Sequence, residues 1–128
     1  MTVHVEHVAV WVRDLERMRA FYTEALGGIS GDLYENPATG FKSYFVCLGE
    51  GARLELMHQP GLRQAPTDTA AGFAHIALAL GGRDAVDVAV AALRRRGVPI
   101  KSEPRVTGDG YYEAVVLDPE GNRVELTV

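Results

Sequence analysis

The chain has 128 residues and a mass of 13.9 kDa, with 47% apolar and 23% charged side chains. Its 13 Lys+Arg against 17 Asp+Glu give a formal net charge of -4 and a pI of about 5.5, the profile of one ordinary soluble domain with no basic footprint for nucleic acid. The longest apolar run near the start, Val8 to Val12, falls far short of the ~20 residues of a membrane span. Glu6 precedes that run where a signal peptide carries positive charge, so a cytoplasmic protein that starts where the sequence starts is expected. A single cysteine, Cys47, permits neither an internal disulfide nor a thiolate metal cluster.

In chain order, His7-Val8-Ala9-Val10 opens a strand. Asp14 offers an N-cap to a helix whose Leu15, Met18, Tyr22 and Leu26 recur at helical spacing, and Gly27-Gly28 stops it. Three strand-like runs follow, the last two being Ser43 to Leu48 and Arg53 to His58, parted by the turn Gly49-Glu50-Gly51. After a polar stretch from Gln59 to Ala71 the order of signals returns. His75-Ile76-Ala77-Leu78 opens a strand, Asp84 is the expected N-cap, Val86, Val90 and Leu93 mark one helix face, and Gly97 ends the helix. Three runs follow again, ending with Tyr112 to Leu117 and Arg123 to Val128 around the turn Asp118-Pro119-Glu120-Gly121. The chain therefore reads as one domain over residues 1–128, built of βαβββ repeats 1–58 and 72–128 with a linker 59–71. The expected class is α+β, its strands forming a curved mixed sheet or barrel around a shared cavity.

Two features that suggest anion binding have simpler readings. Arg94-Arg95-Arg96 falls in the last turn of the second helix, where cations complement the helix dipole. Gly108-Asp109-Gly110 precedes a strand rather than opening a helix, so it reads as a tight turn and not as a phosphate cradle.

Side chains alternate between the faces of a strand, and parity divides these strands cleanly. Val8, Val10 and Val12, Leu54 and Leu56, Ile76, Leu78 and Leu80, and Val124, Leu126 and Val128 share the face that suits the helices. The opposite face holds His7, Glu55, His75 and Glu125, one metal-capable residue per strand at equivalent places in the two repeats. Burying two carboxylates together is costly without a cation, and imidazole with carboxylate suits Ni, Co, Zn, Mn or Fe as a divalent ion with positions left open. His58 lies on the leucine-bearing parity and His4 has no counterpart in the second repeat, so neither is assigned as a ligand. Glu6 is also off parity and reads as a solvated edge charge.

The chain resembles the vicinal oxygen chelate superfamily of glyoxalase, bleomycin-resistance and dioxygenase proteins over essentially its whole length. The resemblance rests on His7-Val8-Ala9-Val10 with Phe21-Tyr22 and Leu26-Gly27, on Arg53-Leu54-Glu55-Leu56, on His75-Ile76-Ala77, and on Asp118-Pro119-Glu120-Gly121-Asn122-Arg123-Val124-Glu125-Leu126. Within that superfamily glyoxalase I uses a His, Glu, His, Glu metal set, which His7, Glu55, His75 and Glu125 match. Extradiol dioxygenases and fosfomycin enzymes use two His and one Glu, and the extradiol signature places Tyr where this chain has Val115. Methylmalonyl-CoA epimerase carries Gln at the position of Glu55.

The resemblance implies a lactoylglutathione-lyase-type enzyme whose substrate chelates the metal through two adjacent oxygens. Glu125 and Glu55 would move the proton between neighbouring carbons. It also implies a small-molecule substrate such as a glutathione or other thiol adduct, and a homodimer, with sites either within one chain or shared between subunits. Bacterial glyoxalases carry Arg where this chain has Trp11 and Asn where it has Gln59. Trp11, Phe45, Gln59, Tyr111 and Glu113 are the expected substrate-pocket residues. An epimerase, another metalloenzyme of the superfamily, or a drug- or metabolite-binding resistance protein without turnover are the alternatives.

Overall fold

The structure, a computed structural model, describes residues 2–64 and 70–128. Residues 65–69 of the expected linker, and Met1, lie outside the described residues. The chain divides into two compact units, Met1–Ala65 and Pro66–Val128. The first contains β1 (His7–Trp11), α1 (Leu15–Ala20) continued by a π-helical turn (Phe21–Ala25), then β2 (Ile29–Ser30), β3 (Tyr34–Asn36), β4 (Phe41–Cys47) and β5 (Arg53–His58). The second contains β6 (His75–Ala79), α2 (Arg83–Arg95), β7 (Ile100–Val106), β8 (Tyr112–Leu117) and β9 (Arg123–Thr127). The class is α+β.

Each unit builds one mixed sheet. In the first the order is β1-β5-β4-β2, with β3 also paired to β4, and in the second it is β6-β9-β8-β7. The opening strand of each unit runs parallel to the last, and the remaining pairs are antiparallel. Both sheets are open, so closure into a barrel is not a property of either unit by itself.

The face assigned to the helices is the more buried one, although Val8, Val10, Ile76, Leu78 and Leu80 on it are half-buried and Val128, also assigned to it, is exposed. Leu54, Leu56 and Val46 lie beneath Leu15, Met18, Phe21 and Tyr22, while Val116, Val124 and Leu126 lie beneath Val86, Val90 and Leu93. Leu56, Val116, Val124 and Leu126 are wholly buried, and a fully buried side chain of this size contributes about 1.5–3 kcal/mol of apolar stabilisation.

Three local expectations are corrected. The N-cap of α2 is Gly82 and not Asp84, because pairing with β9 continues to Leu80 and leaves only two glycines before the helix. Asp84 instead places its charge in the first turn, where it complements the helix dipole. In the first unit, the run between the helix and β4 is split into β2 and β3, both short and both paired with β4. The first helix is not α-helical throughout. Asp14 caps it by accepting from the backbone N–H of Arg17 at 3.1 Å, but the Thr23 hydroxyl donates back to the Arg19 carbonyl at 2.9 Å, a side-chain bond that loosens a helical turn.

The widened turn ends against the sheet. Gly27 turns the chain at φ +75° and the N–H of Gly28 donates to the Tyr22 carbonyl at 2.9 Å. A Cβ on Gly28 would lie 2.6 Å from Val46 Cγ1 and 2.7 Å from the Tyr22 carbonyl oxygen. Gly28→Ala is therefore expected to destabilise the protein by about 1–3 kcal/mol, measured as a lower denaturant midpoint with unchanged slope. An unchanged midpoint would show that this approach is not a constraint.

The turn before β9 sets the register of the strand that carries Glu125. Asp118 is buried, and its carboxylate accepts from the backbone N–H groups of Glu120 and Asn122 and from Asn122 Nδ2, all at 2.8–2.9 Å. Its own backbone closes the turn through Asp118 N to Asn122 O and Gly121 N to Asp118 O. One short acid side chain thus serves donors that the tight reversal would otherwise leave without partners. The segment Thr107 to Tyr111 is likewise a tight turn, closed by Thr107 N to Tyr111 O at 2.7 Å. Among the described residues no helix is long and apolar enough to cross a membrane.

Candidate metal centre

Parallel pairing brings the first imidazole to the first carboxylate. His7 lies opposite Arg53 and Ala9 opposite Glu55, which makes His7 and Glu55 diagonal neighbours on the face away from the helix. Ala9 is small and leaves that diagonal open. His7 Nε2 stands 3.6 Å from Glu55 Oε1. The second unit repeats the arrangement, with His75 opposite Arg123, Ala77 opposite Glu125, and His75 Nε2 3.1 Å from Glu125 Oε2. In the two pairs the imidazoles are 42% and 38% exposed and the carboxylates 14% and 18%. Each ring is reachable from solvent while its carboxylate is shielded.

Among the described residues no group of three or more metal-capable side chains is gathered to hold an ion. One imidazole nitrogen and one carboxylate oxygen per unit is a donor set whose chemistry suits a borderline first-row divalent ion. The residues present fit such an ion.

Around the first pair Glu6 is the exposed edge charge expected of it, and it has partners as well. It precedes β1, and its carbonyl accepts from the Arg53 N–H at 2.9 Å. Glu6 accepts from Arg53 Nη2 at 2.5 Å and Nε at 3.2 Å, and its Oε1 lies 3.1 Å from His7 Nδ1. The Arg53 guanidinium, and after it His7, hold the Glu6 carboxyl down at a pKa of about 2. The same guanidinium lies over the Phe45 ring at 4.1 Å, and that ring meets the His7 imidazole edge to face at 5.4 Å. Phe45 sits opposite Glu55 in the sheet, so of the expected pocket residues it is the one placed directly at the pair.

Around the second pair, burial pushes the Glu125 pKa up from the ordinary carboxylate value, and the charge and hydrogen bond of Glu113 and the charge of Asp109 push the same way, against the opposing pull of His75. Glu113 lies opposite Thr127, with Val115 opposite Glu125, so the two carboxyls are diagonal neighbours across β8 and β9. The remaining expected pocket residues are more peripheral. Trp11 ends β1, packs edge to face on Phe41 at 6.2 Å and is 48% exposed. Gln59 follows β5 and Tyr111 precedes β8, both exposed. His58 Nδ1 donates to the Val12 carbonyl at 2.8 Å and so fastens the end of β1.

Sequence reasoning did not single out Arg53, Phe41 or the role of Glu6. A signal for the first existed: both repeats read Arg-x-Glu in the last strand and His-x-Ala in the first, which in parallel pairing sets Arg against His and Ala against Glu. Phe41 shares the parity of Phe45 along β4.

The sequence profile described as Glyoxalase/Bleomycin resistance protein/Dioxygenase superfamily matches residues 4–126. Mitochondrial methylmalonyl-CoA epimerase of Bos taurus is 34% identical over 131 residues, covering 95% of this chain and 72% of that protein. The lactoylglutathione lyase of Salmonella typhimurium is 33% identical over 124 residues, covering 94% of this chain and 88% of that protein. Among solved structures, the trypanothione-dependent glyoxalase I of Leishmania major has a TM-score of 0.79 at 31% identity, covering 98% of this chain and 86% of that one. A glyoxylase/bleomycin resistance protein/dioxygenase domain from Frankia has a TM-score of 0.85 at 19% identity, covering 100% and 98%, which speaks for the fold alone.

Proposed function

Because the chain belongs to the Glyoxalase/Bleomycin resistance protein/Dioxygenase superfamily, we propose that it is a metal-dependent lyase or isomerase of the glyoxalase I type. The observation that carries this reading is the His–Glu pair repeated in both sheets, His7 with Glu55 and His75 with Glu125. These four residues would hold one divalent ion, drawn from a single chain or from the two chains of a homodimer. Such an ion, when bound, supplies Lewis acidity toward a substrate with two adjacent oxygens.

The remaining work falls to the chain's own groups. Glu125, partly desolvated and crowded by Glu113, takes the proton from the carbon beside the oxygens, because its environment raises its proton affinity. That proton passes from Glu125 to Glu55, which returns it to the neighbouring carbon, so that both carboxylates end ionised as they began. Phe45 and Trp11 form apolar walls that restrain the substrate and exclude water. The exposed thiol of Cys47 fits a reducing, cytoplasmic setting.

A second reading, an epimerase acting on a thioester-activated carbon, is supported by the similarity to the bovine epimerase. Trp11 favours it as well, since this side chain offers no cation for a glutathione carboxylate. Metal analysis of the purified protein, followed by parallel assays of hemithioacetal isomerisation and methylmalonyl-CoA epimerisation, tests both. Metal at about one ion per four donors with isomerisation is expected. Turnover of the thioester alone would select the second reading, and absence of metal uptake with no turnover in either assay would overturn both.

A further inference from the structure

We propose that Glu6 is the positioning residue for His7: clamped by Arg53, its carboxylate holds the ring's Nδ1–H and so presents the Nε2 lone pair on the face that carries Glu55. The inference deepens the proposed metal function and rests on it for its effect on affinity, while the hold on the ring stands by itself.

His7 has a carboxylate at each ring nitrogen, and a neutral imidazole can donate to only one of them. Glu6 Oε1 is 3.1 Å from Nδ1, within hydrogen-bond range, whereas Glu55 Oε1 is 3.6 Å from Nε2, beyond it. The shorter contact favours the tautomer with its proton on Nδ1. A ring with its proton there offers Nε2 as the donor a metal needs, which is the role a carboxylate behind a histidine serves in metal proteins generally.

Glu6 could do this only if it were itself held, because an exposed glutamate samples many rotamers. The guanidinium of Arg53 supplies that restraint through two hydrogen bonds to the two carboxylate oxygens, in the paired geometry that favours Arg over Lys. The Arg53 N–H also donates to the Glu6 carbonyl at 2.9 Å, which fixes the backbone from which the side chain departs. Phe45 completes the frame, with the guanidinium over its face and the imidazole at 5.4 Å from it, edge to face. The device belongs to one repeat. Ala74 precedes His75 where Glu6 precedes His7, so the two imidazoles of the donor set are oriented by different means.

Long-range nitrogen NMR of the imidazole rings in metal-free protein, at a pH where they are neutral, reads the tautomer directly. It is paired with calorimetric titration of Ni or Zn alone. In wild type His7 is expected to carry its proton on Nδ1. Glu6→Ala should move it to Nε2, leave the His75 signals unchanged, and weaken metal binding by about 10–100-fold. Glu6→Gln, whose amide oxygen still accepts from Nδ1–H, should restore the tautomer and most of the affinity. An unaltered His7 tautomer in Glu6→Ala, or a moved tautomer with unaltered affinity, overturns the proposal. If wild type takes up no metal the proposed function fails, and the affinity claim with it, while the ring spectra alone still decide whether Glu6 holds the proton.

Discussion

His75→Ala is expected to weaken divalent metal binding by more than about 100-fold, beyond the 10–100-fold typical of losing a group that only supports a ligand. His7→Ala should do the same. Each substitution removes the imidazole nitrogen of one pair and leaves Glu125 or Glu55 as a shielded carboxylate facing the gap. Folding should be little affected, since both rings are about two-fifths exposed and neither lies on the helix face, and such positions usually cost within about 0.5 kcal/mol. Calorimetry and elemental analysis read the metal, and circular dichroism reads the fold. Undiminished metal affinity in both variants would remove the four-donor site.

The second large effect is expected at the two glutamates, and it separates their roles. Glu125→Gln keeps an oxygen donor and removes the base, so turnover should fall by about 10² or more while some metal remains bound. Glu55→Gln removes the same charge from a carboxylate that has no Glu113 beside it. If Glu55 also moves a proton, its variant should lose about 10² as well. If it retains full turnover at unchanged metal affinity, Glu125 alone is the base and Glu55 is a wall of the site. Equal wild-type behaviour of both variants would dispose of the proton-transfer scheme. Single-turnover kinetics on proteins of known metal content make the comparison, because they separate chemistry from loading.

Much of this architecture could be read in advance because two periodicities dominate it. The parity of Leu54 and Leu56, or of Val124 and Leu126, needs only strand alternation, and the same alternation places Glu55 and Glu125 on the opposite face. The repeat then doubles every signal. What escaped was local. Asp84 could not be told from an N-cap by composition, since the cap position depends on how far β6 pairs before the helix begins. The π-helical turn, in which the Thr23 hydroxyl donates to the Arg19 carbonyl, leaves no mark on the apolar spacing. Glu6 is the exposed edge charge expected, but its partners Arg53 and His7 depend on side-chain reach, which strand alternation does not encode. Arg53 was overlooked for another reason: it obeys the pattern, but its significance appears only once parallel register sets it against His7.

The division of each strand between a packed face and an open one has a bearing on how such a chain can change over generations. Trp11 and Tyr111 are 48% and 59% exposed, and exchanges at such positions usually shift stability by no more than about 0.5 kcal/mol. Leu56 and Leu126, on the neighbouring strands but the other face, are wholly buried, where truncation to Ala costs about 2–5 kcal/mol. Alternate positions of one strand therefore differ sharply in what an exchange costs the fold. A descendant can rewrite every second codon of such a strand while inheriting its foundation intact.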